Sequence, residues 1–131
     1  MDQQFRIYIA GPHRAVNYWL MEQNARMAEG YSLAVWQAGH VPVCPHTQIR
    51  NYHDALPGDV LDRGMLTMLD GCHAVLVIPG WERSAGTRAD IDHAERRGIP
   101  VEHALTTNIR LHVENIVRRL RAMEEAACIS H

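Results

Sequence analysis

The stretch Pro79-Gly80-Trp81-Glu82-Arg83-Ser84-Ala85-Gly86-Thr87-Arg88-Ala89-Asp90 carries the residues best suited to chemistry. The small residues Ser84, Ala85 and Gly86 lead straight into a helical pattern. A helix start offers unpaired N–H groups and a partial positive charge, which suits a phosphate. Gly86 lets a ligand approach the backbone closely. Asp90 falls about one turn into that helix and faces a pocket if Ile91 and Ala94 face a sheet. A plainer reading stands beside this one. Ser84 or Thr87 then merely caps the helix, and Asp90 is a favourable first-turn acid.

Other candidates lie in two further segments. Gly11-Pro12-His13-Arg14 follows a short apolar run, and Arg14 can hold a phosphate or carboxylate as a bidentate donor or stand as an exposed loop cation. Tyr8, inside that run, is a core tyrosine or a site tyrosine. His46, after Pro45, has the same ambiguity, and Trp81 either stacks on a base or covers the pocket.

The elements that must position these residues alternate. Phe5–Ala10 reads as a strand ended by Gly11-Pro12, and Asn17–Ala38 as a helix closed by Gly39, with Leu20, Ala28, Tyr31 and Val35 on one buried face. Val41–Cys44 is a second strand, and His46–Pro57 a long connection. Asp59–Leu69 is a helix, and Ala74–Ile78 a continuous apolar run that predicts a central strand buried on both faces. Trp81–Gly86 is a loop, Thr87–Arg97 a helix, and Ile99–Val101 the start of a fourth strand. Thr106–Ala126 is an amphipathic final helix that packs on its own sheet or oligomerises. This order predicts one α/β domain, a parallel sheet with helices on both faces. Ligands of such sheets bind beyond the carboxyl ends of the strands, which selects Ala10–Arg14, Cys44–Thr47 and Pro79–Arg88.

The bulk properties exclude several classes. The chain has 131 residues, 47% hydrophobic and 21% charged, enough for one real core. A net charge of −2 lacks the basic footprint of a nucleic-acid binder, and Arg118-Arg119-Leu120-Arg121 reads as a solvated helix face. No apolar run is long enough to span a membrane. Met1-Asp2-Gln3-Gln4 lacks the basic start of a signal peptide, so a cytoplasmic location is expected. The odd set Cys44, Cys72 and Cys128 predicts neither a disulfide framework nor a zinc site. The nine histidines lack ligand spacing, so no metal is expected.

The blocks Ile7-Tyr8-Ile9-Ala10-Gly11-Pro12, Ala38-Gly39-His40 with Cys44-Pro45-His46, Leu76–Thr87 and Gly98-Ile99-Pro100-Val101 resemble the nucleoside 2-deoxyribosyltransferase-like superfamily, nearest its small bacterial and phage DUF4406-type branch. The resemblance covers roughly residues 6–101. It implies a flavodoxin-like fold, cleavage or transfer of nucleoside or nucleotide N-glycosidic bonds, no cofactor, and a homodimer or higher oligomer whose sites are completed near a neighbouring subunit. It implies Asp90 as nucleophile, Tyr8 as its orienting group, and Ser84, Gly86 and Arg88 at the 5′ end of the substrate. Gly11, Pro12, His13, Arg14, His46, Gly80, Trp81 and Thr87 complete the expected substrate contacts. Two departures matter. Asp90 replaces Glu, and one methylene moves the carboxylate by roughly 1 Å, a displacement that can cost on the order of 100-fold in rate. Met65 stands where the family often has an acid, and Asp62, at i−3, shares its helix face as a substitute proton donor or is an ordinary surface acid.

Overall fold

The computed structural model describes residues 3–129; Met1 and Asp2, read above for a leader, lie outside them. Four parallel strands, β1 (Arg6–Ala10), β2 (Val41–Val43), β3 (Ala74–Val77) and β4 (Val101–His103), lie in the order β2-β1-β3-β4. The helices are α1 (Tyr18–Gln37), the short α2 (Pro45–Gln48), α3 (Gly58–Asp70), α4 (Ala85–Arg96) and α5 (Ile109–Ile129). The chain is therefore an α/β protein with helices around a parallel sheet, as its alternation predicts. Among the described residues no helix is long and apolar enough to cross a membrane.

The strands' period of two sorts their side chains into two cores. Ile7 and Ile9 of β1 and Leu76 of β3 meet Ala28, Tyr31 and Val35 of α1 and Val113, Ile116 and Leu120 of α5. Tyr8 and Ala10 of β1 and Val75 and Val77 of β3 meet Leu69 of α3 and Ile91 and Ala94 of α4. The final helix thus packs on its own sheet. The same alternation sends Tyr8 towards α4.

The boundaries shift where side chains cap. Asn17 lies outside α1, its Oδ1 accepting the Leu20 N–H at 2.9 Å. α4 starts at Ala85 rather than Thr87 because Ser84 is its N-cap. α5 starts at Ile109 rather than Thr106, where Asn108 Oδ1 accepts the Leu111 N–H at 3.1 Å. Ile99 belongs to the turn after α4, its N–H donating to the Ala94 carbonyl, so β4 begins two residues late. The connection after β2 opens with a helical turn and is tied to α1 by Arg50, which pairs with Glu22 at 3.5 Å and with Glu29. All three cysteines are free thiols.

Two histidines hold the first amides of β1. His40 Nδ1 accepts the Phe5 N–H at 3.0 Å, and His73 Nδ1 accepts the Arg6 N–H at 2.9 Å. Each needs an unprotonated Nδ1, and burial holds both imidazoles below their ordinary value of 6.5. The unfolded chain therefore binds more protons, and the stability these residues contribute is present above pH 6.5 and lost as pH falls below it. The urea midpoint is expected to fall as pH drops below 6.5, and less in a His40→Gln variant. An identical pH dependence in that variant would remove His40 from this explanation.

Candidate active site

The strand order reverses between β1 and β3, because the chain moves outward from β1 to β2 and then crosses back to β3. The carboxyl ends of these two strands part there, leaving the crevice typical of open α/β sheets. A cavity of about 940 Å³ occupies it. Its walls come from the loop after β1, from α1, α2 and α3, and from the turn into α4.

Two close approaches build the floor. A Cβ on Gly11 would stand 2.2 Å from Ile78 Cγ1, so only glycine fits against this buried side chain. Gly80 has φ +94°, a left-handed conformation that favours glycine, and a Cβ there would meet Pro12 Cγ at 3.1 Å. The Gly11-Pro12 and Pro79-Gly80 turns thus lie against one another. His46 pins the first of them. It is 3% exposed, and its Nε2–H reaches the carbonyls of Gly11 and Pro12 at 3.1 and 2.9 Å. That tautomer leaves Nδ1 unprotonated and, among the described residues, without a partner. His13 packs edge-on against His46 at 5.3 Å. Burial, together with the nearby His46, His53 and Arg14, lowers the His13 imidazole to about 4, so it is neutral at physiological pH.

Asp90 follows from the helical period of α4. Thr87, Ile91 and Ala94 are buried against the sheet, which leaves Asp90 half-buried at the cavity edge of that face. Tyr8 Oη–H points to Asp90 Oδ2 at 3.4 Å. Desolvation raises the Asp90 carboxyl from 3.8 to about 6, opposed by the Tyr8 hydrogen bond and by His93. Burial first, then the Asp90 charge, pushes the Tyr8 phenol far up, so it remains a donor at every working pH.

Ser84 does cap α4. Its Oγ accepts the Thr87 N–H at 3.2 Å and the Thr87 hydroxyl at 2.8 Å. Thr87 lines the same cavity, 2% exposed and with its hydroxyl given to Ser84 Oγ, so it also braces the helix end. Gly86 sits in the first turn, where an added Cβ would meet nothing within 4 Å, so the helix start opens into the cavity. Two expected contacts are corrected. Trp81 turns its indole to His103 on β4, 4.9 Å between centroids, and does not line the cavity. Arg88 donates to the Glu82 carbonyl and likewise lies off the cavity wall. Arg83, unremarked in the sequence, lines it instead.

The structure places Tyr8, Gly11, Pro12, His13, Arg14, His46, Asp62, Gly80, Ser84, Gly86, Thr87 and Asp90 around this one cavity. Arg14 pairs with Asp62 at 3.7 Å across the mouth, with both side chains more than half exposed. The wall formed by α1 had no counterpart among the expectations. Leu20, expected in the core, is 42% exposed and lines the cavity with Asn24 and Met27. Among the described residues no group of three or more His, Cys, Asp or Glu side chains is placed to hold a metal ion.

Comparison with curated proteins gives no significant match. The family model described as "Domain of unknown function (DUF7768)" matches residues 5–104, from the start of β1 to the end of β4, so both turns of the cavity floor and Asp90 fall within it. The chain therefore belongs to the DUF7768 domain family.

Proposed function

We propose that this protein cleaves or transfers the N-glycosidic bond of a nucleoside or nucleoside 5′-monophosphate, with the Asp90 carboxylate as nucleophile. The single observation that carries the reading is a half-buried carboxylate with a buried tyrosine at 3.4 Å, set in the crevice where the strand order reverses. The resemblance to the nucleoside 2-deoxyribosyltransferase-like superfamily points the same way. Asp90 attacks the anomeric carbon while the C–N bond breaks and its electron pair leaves with the base. The Tyr8 phenol orients the carboxylate throughout. The departing base takes a proton from water or from Asp62, and the Arg14 partner of Asp62 favours water. Water or a second base then displaces the ester and regenerates the carboxylate. Ser84, Gly86 and Arg83 stand where a 5′-phosphate meets the open helix start. Self-association belongs to the same reading, supported by the outer face of α1, where Trp19, Leu33 and Trp36 are 69%, 58% and 56% exposed.

The nucleophile must be ionised. The rate is expected to rise about tenfold per pH unit below pH 6 and to level off above it, because the Asp90 carboxyl titrates at about 6. A flat profile through that window would separate the rate from Asp90. The reading as a whole is tested by base release from a panel of nucleosides and 5′-monophosphates, followed by chromatography. Met65, in place of a proton donor, favours a second reading, a nucleotide-binding module without turnover. Tight binding by calorimetry with no base released over hours would establish that module instead.

A further inference from the structure

The fold already engages most of the ionisable side chains that line the cavity. Tyr8 donates to Asp90, and Arg14 pairs with Asp62 at 3.7 Å. His46 gives its Nε2–H to the Gly11 and Pro12 carbonyls, and its Nδ1 is sealed from the cavity. Arg83 is a cation with no lone pair to offer. His13 differs. It lines the same cavity half-buried, and among the described residues neither of its ring nitrogens has a hydrogen-bond partner. Neither is sealed off as His46 Nδ1 is. The ring is nonetheless held in place. The His13 carbonyl accepts from Asn24 Nδ2 at 3.3 Å, the carbonyl before it accepts from His46, and the ring packs edge-on against His46 at 5.3 Å. Burial first, then His46, His53 and Arg14, keep the imidazole neutral, so one ring nitrogen carries a free lone pair. Asn24 belongs to α1, which packs on one face of the sheet, and Asp90 to α4, which packs on the other. His13, tied to α1, and Asp90 therefore enter the cavity from opposite sides.

A carboxylate nucleophile leaves the sugar as an ester that a second nucleophile must open. The incoming water takes the face that the base has left, across the sugar from the carboxylate, and loses a proton as it attacks. We infer that His13 is the general base of this second step. The inference rests on the reading of Asp90 as nucleophile and adds the residue that completes the turnover. The water oxygen bonds to the anomeric carbon while its proton passes to the free ring nitrogen of His13. The C–O bond of the ester breaks, and its electron pair returns to the Asp90 carboxylate. The imidazolium then gives its proton to solvent, where it replaces the proton taken up by the departing base.

Rapid mixing of the wild-type protein and His13→Ala with nucleosides and 5′-monophosphates, ribo and 2′-deoxy, separates the two steps. His13→Ala is expected to release one equivalent of base in an initial burst at the wild-type rate and then to turn over about 100-fold more slowly. Intact-protein mass spectrometry is expected to show the variant carrying the sugar. Azide, a nucleophile with no proton to lose, is expected to restore turnover and to yield the glycosyl azide. His13→Phe keeps the edge-on packing against His46 without a lone pair, and it serves if the alanine variant fails to melt cooperatively. A slower burst with no adduct makes His13 a contact of the substrate and overturns the inference. Turnover equal to that of the wild type overturns it too, as does an adduct that azide leaves in place. In these cases the reading of Asp90 stands. No base released by the wild type from any substrate overturns that reading and this inference with it.

Discussion

Replacing Asp90 by Asn is expected to raise the melting temperature while base release falls by about a thousandfold or more. The two effects have one cause. The cavity withholds water from the carboxylate, which lifts its carboxyl from 3.8 to about 6. The folded protein holds this proton more tightly than the unfolded chain does. Stability from this group is therefore fully present below pH 3.8 and lost as pH rises through 6. At neutral pH the native state carries the whole cost, about 1 to 2 kcal/mol after allowance for the solvent at this half-buried site. Asparagine keeps the shape and removes the charge, so it recovers that energy as a rise of several degrees. The gain should vanish when melting is repeated below pH 4, where Asp90 is protonated in both states. A gain that persists there would locate its origin in packing rather than charge.

The second large effect is structural. Gly11→Ala is expected to destabilise the protein by about 3 kcal/mol, because its new Cβ would overlap the Ile78 side chain in a filled core. Gly11 does not have a positive φ, so the cost comes from space and not from the backbone. Ile78 is 1% exposed and has nowhere to go; the overlap involves its Cγ1 and Cδ1 at 2.2 and 2.6 Å. Ile78→Ala deletes both atoms. In that background Gly11→Ala should cost less than about 0.5 kcal/mol, a non-additivity that urea denaturation of the four proteins measures. Equal costs in both backgrounds would show that Gly11 serves some other need. The same double cycle reports on the site, since Gly11 lines the cavity and Ile78 leads directly into the Pro79-Gly80 turn that lines it too.

Much of the fold and of the candidate site is legible in the sequence. Strands and helices alternate in the sequence, and that alternation alone implies a parallel sheet with its site at the carboxyl ends. The buried run Ala74–Ile78 marked the central strand, and Ile91 with Ala94 turned Asp90 towards the crevice. Tyr8 is ambiguous in the sequence because a strand's period says which face a residue takes but not which helix covers it; in the fold α4 covers it, with Asp90 at 3.4 Å. The contribution of α1 was hidden for a different reason. Its cavity stripe lies beside its core stripe on the same helix, so Leu20 reads as core by spacing while it borders open space. Trp81 and Arg88 take partners, His103 and the Glu82 carbonyl, that arise only from folding of the turn and of β4. Local sequence carries no signal of either contact. Ser84 both caps α4 and lines the cavity, its Oγ occupied as an acceptor by the cap.

Asp62 and Met65 bear on the chemistry differently. Asp62 is exposed and paired with Arg14, an arrangement worth at most about 1 kcal/mol in stability. Met65 supplies no proton. In the proposed reaction, with water as the donor, bases that leave readily are the expected substrates, and more of the rate is expected to rest on the Asp90–Tyr8 pair.

The most direct measurement is base release by the wild-type protein beside Asp90→Asn, across nucleosides and 5′-monophosphates, after circular dichroism and melting have shown both proteins folded. Release by the wild type, and its loss in a variant that is at least as stable, is the expected result. Release that continues undiminished in Asp90→Asn would contradict the assignment of this carboxylate as the nucleophile.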